Sequence, residues 1–263
     1  MTAVDQASRR GAKAAEAGEP SRLERAVDRV PFLEKELFLL RELVRPGDVC
    51  VDVGAAGGAH LFVMAQQAGR WGRIVGVEPR PGSSRVLERL VRLAGLDARV
   101  SLHQLALTDR PGTIELRVPV VPTRAHLDGS TQDVRRTAAF ARLPHRRIEV
   151  ETCTLDALMA AEGLERLDVL KCDVEGAELL VLAGASGVLR EMRPIVIIEA
   201  DDLHQRRFDA TAQDVVDAIT AHGYAPHRYR RGMLEPVDGV VAGEDDYVLL
   251  PDGRPLRTSI RER

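Results

Sequence analysis

Short apolar runs alternate with amphipathic stretches of helical period along most of the chain. Residues 49–53 read as a buried strand, residues 60–68 as a helix and residues 73–78 as a second strand, with a glycine-rich turn after the first. Residues 84–93 read as a helix and residues 99–104 as a third strand, ending near Ala106. Residues 113–118 and 147–152 alternate polar and apolar positions, which predicts a pair of extra strands. Thr154 is placed to cap a helix running to Ala161, and residues 168–173 form the fourth strand. A helix over residues 175–190 leads to a fully apolar fifth strand, residues 194–199. A helix over residues 211–222, closed by Gly223, precedes two last strands at 224–229 and 246–250. Strands alternating with helices predict an α/β fold: a Rossmann-like, mostly parallel, doubly wound sheet of seven strands.

Around this frame the pattern changes. Residues 1–20 are rich in Ala, Gly and charge without an apolar stripe, and are expected to be a flexible tail. Residues 21–45 are expected to form N-terminal helices, with Ser21 capping one and Pro31 opening the next; Leu33, Leu37, Leu40 and Val44 share a face of the latter. Residues 46–251 are expected to be one domain and residues 252–263 a C-terminal tail. Residues 119–144 are long, polar and Arg-rich, which fits a lid or binding loop inserted at the hairpin; a short helix around residues 133–142 is equally compatible.

Composition narrows the partners. With 263 residues, 44% of them hydrophobic, the chain can fill the core of such a domain. A net charge of −3 offers no electrostatic argument for nucleic acid. Cys50, Cys153 and Cys172 lack metal or redox spacing and read as small buried side chains. No apolar leader core and no membrane-length apolar run is present, so a cytoplasmic protein away from the membrane is the simplest expectation. Nothing in the pattern sets the oligomeric state; a homodimer is compatible with it.

The turn after the first strand carries the most information. Its spacing is D-x-G-x-x-x-G, from Asp52, Gly54 and Gly58, with Ala55 between the glycines. Glycines there let backbone N–H groups approach a ligand. Glu78, followed by Pro79, ends the second strand, where a carboxylate can accept hydrogen bonds from both hydroxyls of a ribose. An adenosine-containing ligand follows. A dinucleotide would require a glycine where this chain has Ala56, and Asp52 would repel a pyrophosphate; the cationic end of S-adenosyl-L-methionine suits it better. Gln104 and Ala106, at the end of the third strand, complete the expected cofactor edge.

Acids also end the fourth and fifth strands, at Asp173 and Glu199. Glu175 and Glu178 follow Asp173 and are expected on one face of a helix's first turn, at the mouth of the cleft. These carboxylates can orient an incoming hydroxyl, take its proton or hold a sulfonium. Asp173 is the first choice for the site acid, and His204 and Glu199 are the further catalytic candidates. Each acid can also simply cap the helix after it. Asp173, Glu199, Asp201 and Asp202 are oxygen ligands of the kind Mg²⁺ takes, although acids dispersed over strand tips have other uses.

These motifs together resemble the FkbM-type methyltransferases. The resemblance rests on V-D-V-G-A-x-x-G at residues 51–58, L-K-x-D-V-E-G-A-E at residues 170–178, the apolar strand ending at Glu199, and T-L-D at residues 154–156. It covers roughly residues 46–250. Ala56-Gly57 and Ala59-His60 depart from the Asn and the aromatic often found in that loop. The resemblance implies an S-adenosylmethionine-dependent O-methyltransferase acting on a small-molecule hydroxyl, of a natural product such as a macrolide or polyketide, or of its sugar. An NAD-linked oxidoreductase and a catalytically silent cofactor-binding scaffold are the competing expectations.

Overall fold

The computed structural model describes residues 35–119, 145–230, 233–253 and 261–262. The expected tail at residues 1–20, the helix at 21–30, the helix start at Pro31, the interior of the 119–144 segment and most of the 252–263 tail lie outside the described residues.

The chain enters on α1 (Lys35–Leu43) and turns at Gly47 into β1 (Val49–Val53). α2 (Ala59–Ala68), β2 (Arg73–Val77), α3 (Pro81–Leu93) and β3 (Val100–His103) follow. After a small second sheet come α4 (Leu155–Ala161), β7 (Val169–Cys172), α5 (Glu178–Ala183) and β8 (Ile195–Glu199). The chain closes with α6 (Asp202–Gln205), α7 (Ala212–Thr220), β9 (Tyr224–Arg230), β10 (Met233–Pro236), β11 (Asp246–Pro251) and β12 (Arg261–Glu262).

The central sheet has the order β12-β10-β9-β11-β8-β7-β1-β2-β3. β3, β2, β1, β7 and β8 run parallel, and β11 is antiparallel to β8. Parallel strands covered by helices on both faces are dominated by apolar residues, which is why they stand out in the sequence; Asp52 in β1 and Lys171 in β7 are the charged exceptions inside their runs. Val51 and Val53 pack with α4, α5 and α7, while Cys50 packs with α1, α2 and α3 on the opposite face. All seven expected strands are present; β10 and β12 extend the β9 edge to make nine. Within β10 only Leu234 is fully buried, a pattern too sparse to read as a strand.

The expected hairpin is also present. β5 (Gly112–Pro119) and β6 (His145–Cys153) pair antiparallel, and β4 (Ala106–Leu107) joins β6 to make a separate three-stranded sheet. Ala106 therefore belongs to that sheet, paired with Thr152, rather than to the end of β3.

The single helix expected over residues 175–190 is broken. Glu175 and Gly176 have φ of 56° and 115°, outside the helical region, so α5 starts only at Glu178. It stops at Gly184, where a Cβ would fall 2.1 Å from the Thr108 carbonyl oxygen. A new turn then starts at Val188, its first N–H groups held by Asp156: Gly187 N–H donates to Oδ2 at 2.9 Å and Val188 N–H to Oδ1 at 2.8 Å. The T-L-D motif is thereby explained locally, since Thr154 caps α4 and Asp156 caps the segment after α5. The loss of the helical start also overturns the expected pairing of Glu175 and Glu178 on one helix face.

Candidate active site

The carboxyl ends of β1, β2, β7 and β8 converge on one edge of the sheet, where ligands of doubly wound folds bind. The turn after β1 is built by close approach. Gly54 has φ of 83°, and a Cβ there would lie 1.9 Å from the Asp173 carbonyl oxygen. Its N–H and that of Ala55 both donate to the Val77 carbonyl, at 2.9 and 3.0 Å. Gly58, with φ of 85°, lies against Leu87 and Phe62. The turn is thus seated directly between β2 and β7.

Glu78 sits at the tip of β2 and is 3% exposed. Its Oε2 accepts from the Ala56 N–H at 2.8 Å, which couples it to the glycine turn 22 residues earlier. Arg80 covers the same carboxylate: its N–H and Nε donate to Oε1 at 2.9 and 2.8 Å, and Nη2 to Oε2 at 3.2 Å. Pro79 between them is half-buried, whereas Gln104 is exposed beyond the end of β3. Among the described contacts none joins the Gln104 or Ala106 side chain to Glu78 or Asp173.

Asp52 is completely buried, and neither carboxylate oxygen has a hydrogen-bond partner among the described residues. Burial raises its pKa against the opposing pull of Lys171, its cross-strand neighbour in the β1–β7 register. Lys171 was not a sequence candidate. It is 1% exposed and donates from Nζ to Asp173 Oδ2 at 2.9 Å. Burial disfavours its charge, but Asp173, Glu36 and Asp52 more than offset this and raise its pKa well above the ordinary value. A lysine inside a strand of a parallel sheet was the available signal.

Two other acids reach this group from distant parts of the chain. Glu36 on α1 lies 2.9 Å from His60 Nε2 on α2. Burial alone would raise the Glu36 pKa; Lys171, His60 and a hydrogen bond from Asp246 outweigh it and bring it to about 2. Burial and the neighbouring Glu36, Glu199 and Asp173 push Asp246, at the start of β11, up to about 9. Glu36 and Asp246 therefore share one proton, which rests on Asp246 at neutral pH. Because the native state raises the Asp246 pKa from 3.8, stability from this group is full below that value and is lost as pH rises through about 9. The expected result is that Asp246→Asn, which keeps a donor toward Glu36, weakens the decline in stability between pH 6 and 9 by about 1 kcal/mol per pH unit. Urea midpoints at both pH values check this; parallel declines in wild type and variant would refute the shared proton.

His204 and Glu199 are in contact, and Asp173 is near enough to act electrostatically on Glu199. His204 on α6 places Nδ1 3.2 Å from Glu199 Oε2. The hydrogen bond to Glu199 raises the His204 pKa to about 9 against burial, and burial raises Glu199 to about 7. Asp173 is half-buried and its only described side-chain partner is Lys171, so it does not cap the helix that follows. Glu175 is exposed beside it. Glu178, expected at the cleft mouth, is instead completely buried and turned toward the backbone of its own turn. Asp201 and Asp202 are spent on local caps, accepting from the Leu203 and Ala212 N–H groups at 2.8 Å. Among the described residues, no group of three or more His, Cys, Asp or Glu side chains is arranged to hold a metal ion. No described helix is long and apolar enough to cross a membrane.

A doubly wound sheet with this glycine turn and acid-lined edge defines a Rossmann-like α/β fold. The chain belongs to the FkbM methyltransferase family: residues 52–226 match the Methyltransferase FkbM domain, from the β1 acid to β9. The AMB antimetabolite synthetase AmbE of Pseudomonas aeruginosa is 34% identical over 77% of this chain, which spans 11% of that protein. The 31-O-demethyl-FK506 methyltransferase FkbM of Streptomyces tacrolimicus is 28% identical, over 73% of this chain and 81% of the relative. The 2-O-methyltransferase NoeI of Sinorhizobium fredii is also 28% identical, over 57% of this chain and 63% of the relative. This chain thus spans about a tenth of the AmbE relative and just under two thirds of the NoeI relative.

Proposed function

We propose that this methyltransferase uses S-adenosyl-L-methionine to methylate a hydroxyl of a small molecule, a natural product of macrolide or polyketide type or its sugar. The observation that carries the reading is the His204–Glu199 pair at the carboxyl end of β8, on the same edge of the parallel sheet as Asp173, Glu78 and the glycine turn. The residues fit the cofactor. Asp52 is a buried carboxylate with no described hydrogen-bond partner, and the Gly54 turn has no room for a side chain. Glu78 would hold the ribose hydroxyls and Asp52 the cationic end. The cofactor supplies an activated methyl group on a sulfonium. This chain's task is then to aim a hydroxyl and accept its proton. Asp173 orients the hydroxyl, and the His204–Glu199 pair receives the proton. Two relatives named for O-methyl or demethyl-FK506 chemistry support the acceptor class.

Calorimetry with S-adenosylhomocysteine and with NAD tests the cofactor. Binding of NAD alone would sink the reading. Methyl transfer from labelled cofactor to hydroxylated acceptors tests the reaction; methylation of an amine or carbon acceptor alone would overturn O-transfer. The proton-accepting role also fixes a pH dependence. His204 must be neutral to act, and its pKa is raised to about 9 by Glu199. The expected kcat/KM therefore rises about tenfold per pH unit between pH 7 and 8.5 and levels above 9. A profile flat over that window would remove His204 as the base.

A further inference from the structure

We propose that Glu178 and Gln205 form a buried staple that positions His204 by binding the turn after β7 to the short helix α6. The inference rests on the reading of His204 as the proton acceptor. Both residues are polar and completely buried, which packing of an apolar core does not explain.

The staple joins two segments that are far apart in sequence. Glu178 Oε1 accepts from the Val174 N–H at 2.9 Å, and Oε2 accepts from the Gly176 N–H at 3.0 Å. These are N–H groups of the turn that begins with Asp173 and contains the left-handed Glu175 and Gly176. The same carboxylate accepts from Gln205 Nε2, the residue after His204. Glu178 and Gln205 are both 0% exposed. A carboxyl group so far from water is tolerated only when its oxygens are met by donors, and three groups meet them here. The turn and the helix are also pressed together at Gly176, where a Cβ would lie 2.6 Å from the His204 carbonyl oxygen and 3.0 Å from the Phe208 ring. A side chain at Gly176 would push α6 off the turn.

α6 has four residues and cannot hold its own geometry. Its N-terminus is fixed by Asp201, which accepts from Leu203 N–H. Its C-terminal end is fixed by Gln205 on Glu178. His204 lies between these two anchors, and its ring reaches Glu199 only while both hold. The titratable groups facing that ring are Glu199 from β8, Asp201 from the start of α6 and Glu175 from the stapled turn. Gln205 is thus a positioning residue for His204, and Glu178 is the element through which the Asp173 turn and the His204 helix keep one relative placement.

A polarity swap tests this on the whole chain. Gln205→Leu removes the donor, so His204 should drift from Glu199 and its pKa, read by NMR titration of the ring, should fall from near 9 toward 6.5. kcat should fall about 10- to 100-fold, with S-adenosylhomocysteine affinity within about twofold of wild type. Gln205→Glu sets two carboxylates together and should be worse. In the double variant Glu178→Gln/Gln205→Glu the amide and carboxylate exchange places: the amide nitrogen at position 178 takes the Oε2 place facing residue 205, and the amide oxygen takes the Oε1 place, which already meets the Val174 and Gly176 N–H groups at 2.9 and 3.3 Å. That variant should regain kcat to within about fivefold of wild type and restore the His204 titration. An unchanged His204 titration in Gln205→Leu, or a folded double variant no better than Gln205→Glu, would overturn the staple. The NMR readout needs neither cofactor nor turnover. Failure of wild type to bind S-adenosylhomocysteine would instead count against the proposed function.

Discussion

Asp173→Asn is expected to lower turnover by about 10²–10⁴-fold while changing cofactor affinity far less, the range typical for removing a group that engages a transferring proton. The substitution keeps shape and removes charge. Asn is a good helix cap, so a capping residue would survive it nearly unharmed. The structure already disfavours capping: the Asp173 carboxylate meets the Lys171 ammonium at 2.9 Å, and Glu178 takes the N–H groups of the turn. Lys171 keeps Glu36 and Asp52 as electrostatic partners when Asp173 is neutralised, so the fold should persist. Circular dichroism, calorimetry with S-adenosylhomocysteine and single-turnover rates on the same variant make the comparison. Turnover within threefold of wild type would leave His204 and Glu199 to carry the chemistry without it.

Glu78→Gln and Glu78→Ala carry the largest expected effect on binding. The carboxylate at the tip of β2 is the proposed ribose acceptor, and hydrogen bonds to a charged group contribute about 1.5–3 kcal/mol each. Part of that is offset, because Arg80 and the Ala56 N–H already occupy the oxygens and Arg80 must give way to a bound diol. A loss of at least about tenfold in affinity for S-adenosylmethionine is expected for Glu78→Gln. Glu78→Ala should lose more, since it also releases the Ala56 N–H and with it the glycine turn. Isothermal titration separates the two. Equal, near-wild-type affinities would place the ribose elsewhere, and turnover at saturating cofactor should be less affected than affinity in either variant.

Much of this site was legible in the sequence, for reasons that are local. β1, β2, β7 and β8 are buried on both faces and so are largely apolar runs, broken only by Asp52 in β1 and Lys171 in β7, and Glu78, Asp173 and Glu199 mark the ends of β2, β7 and β8. Gly54 and Gly58 announce themselves because their backbone conformations and close neighbours admit no side chain. Asp52, Glu78, Asp173, Glu199 and His204, on which the proposed function rests, are named from the chain alone, and the hairpin read there is present as β5 and β6. Sequence resemblance then placed them in the right family.

What only the tertiary structure decided is which groups face one another across elements. The proton shared by Glu36 and Asp246 joins α1 to β11, near opposite ends of the described chain, and depends on the strand order that places β11 beside β8. Lys171 becomes a buried counter-ion only because β7 pairs in register with β1, opposite Asp52. Glu178 has the spacing of an exposed first-turn acid, and it is buried because the left-handed Glu175 and Gly176 rotate the chain before α5 begins and Gln205 arrives from α6. Local periodicity reports which side of an element is apolar. It holds no information on the partner that a buried charge will meet, because that partner is fixed by long-range closure of the sheet, where the cost of burying each ion is offset by the ions and donors the fold brings to it.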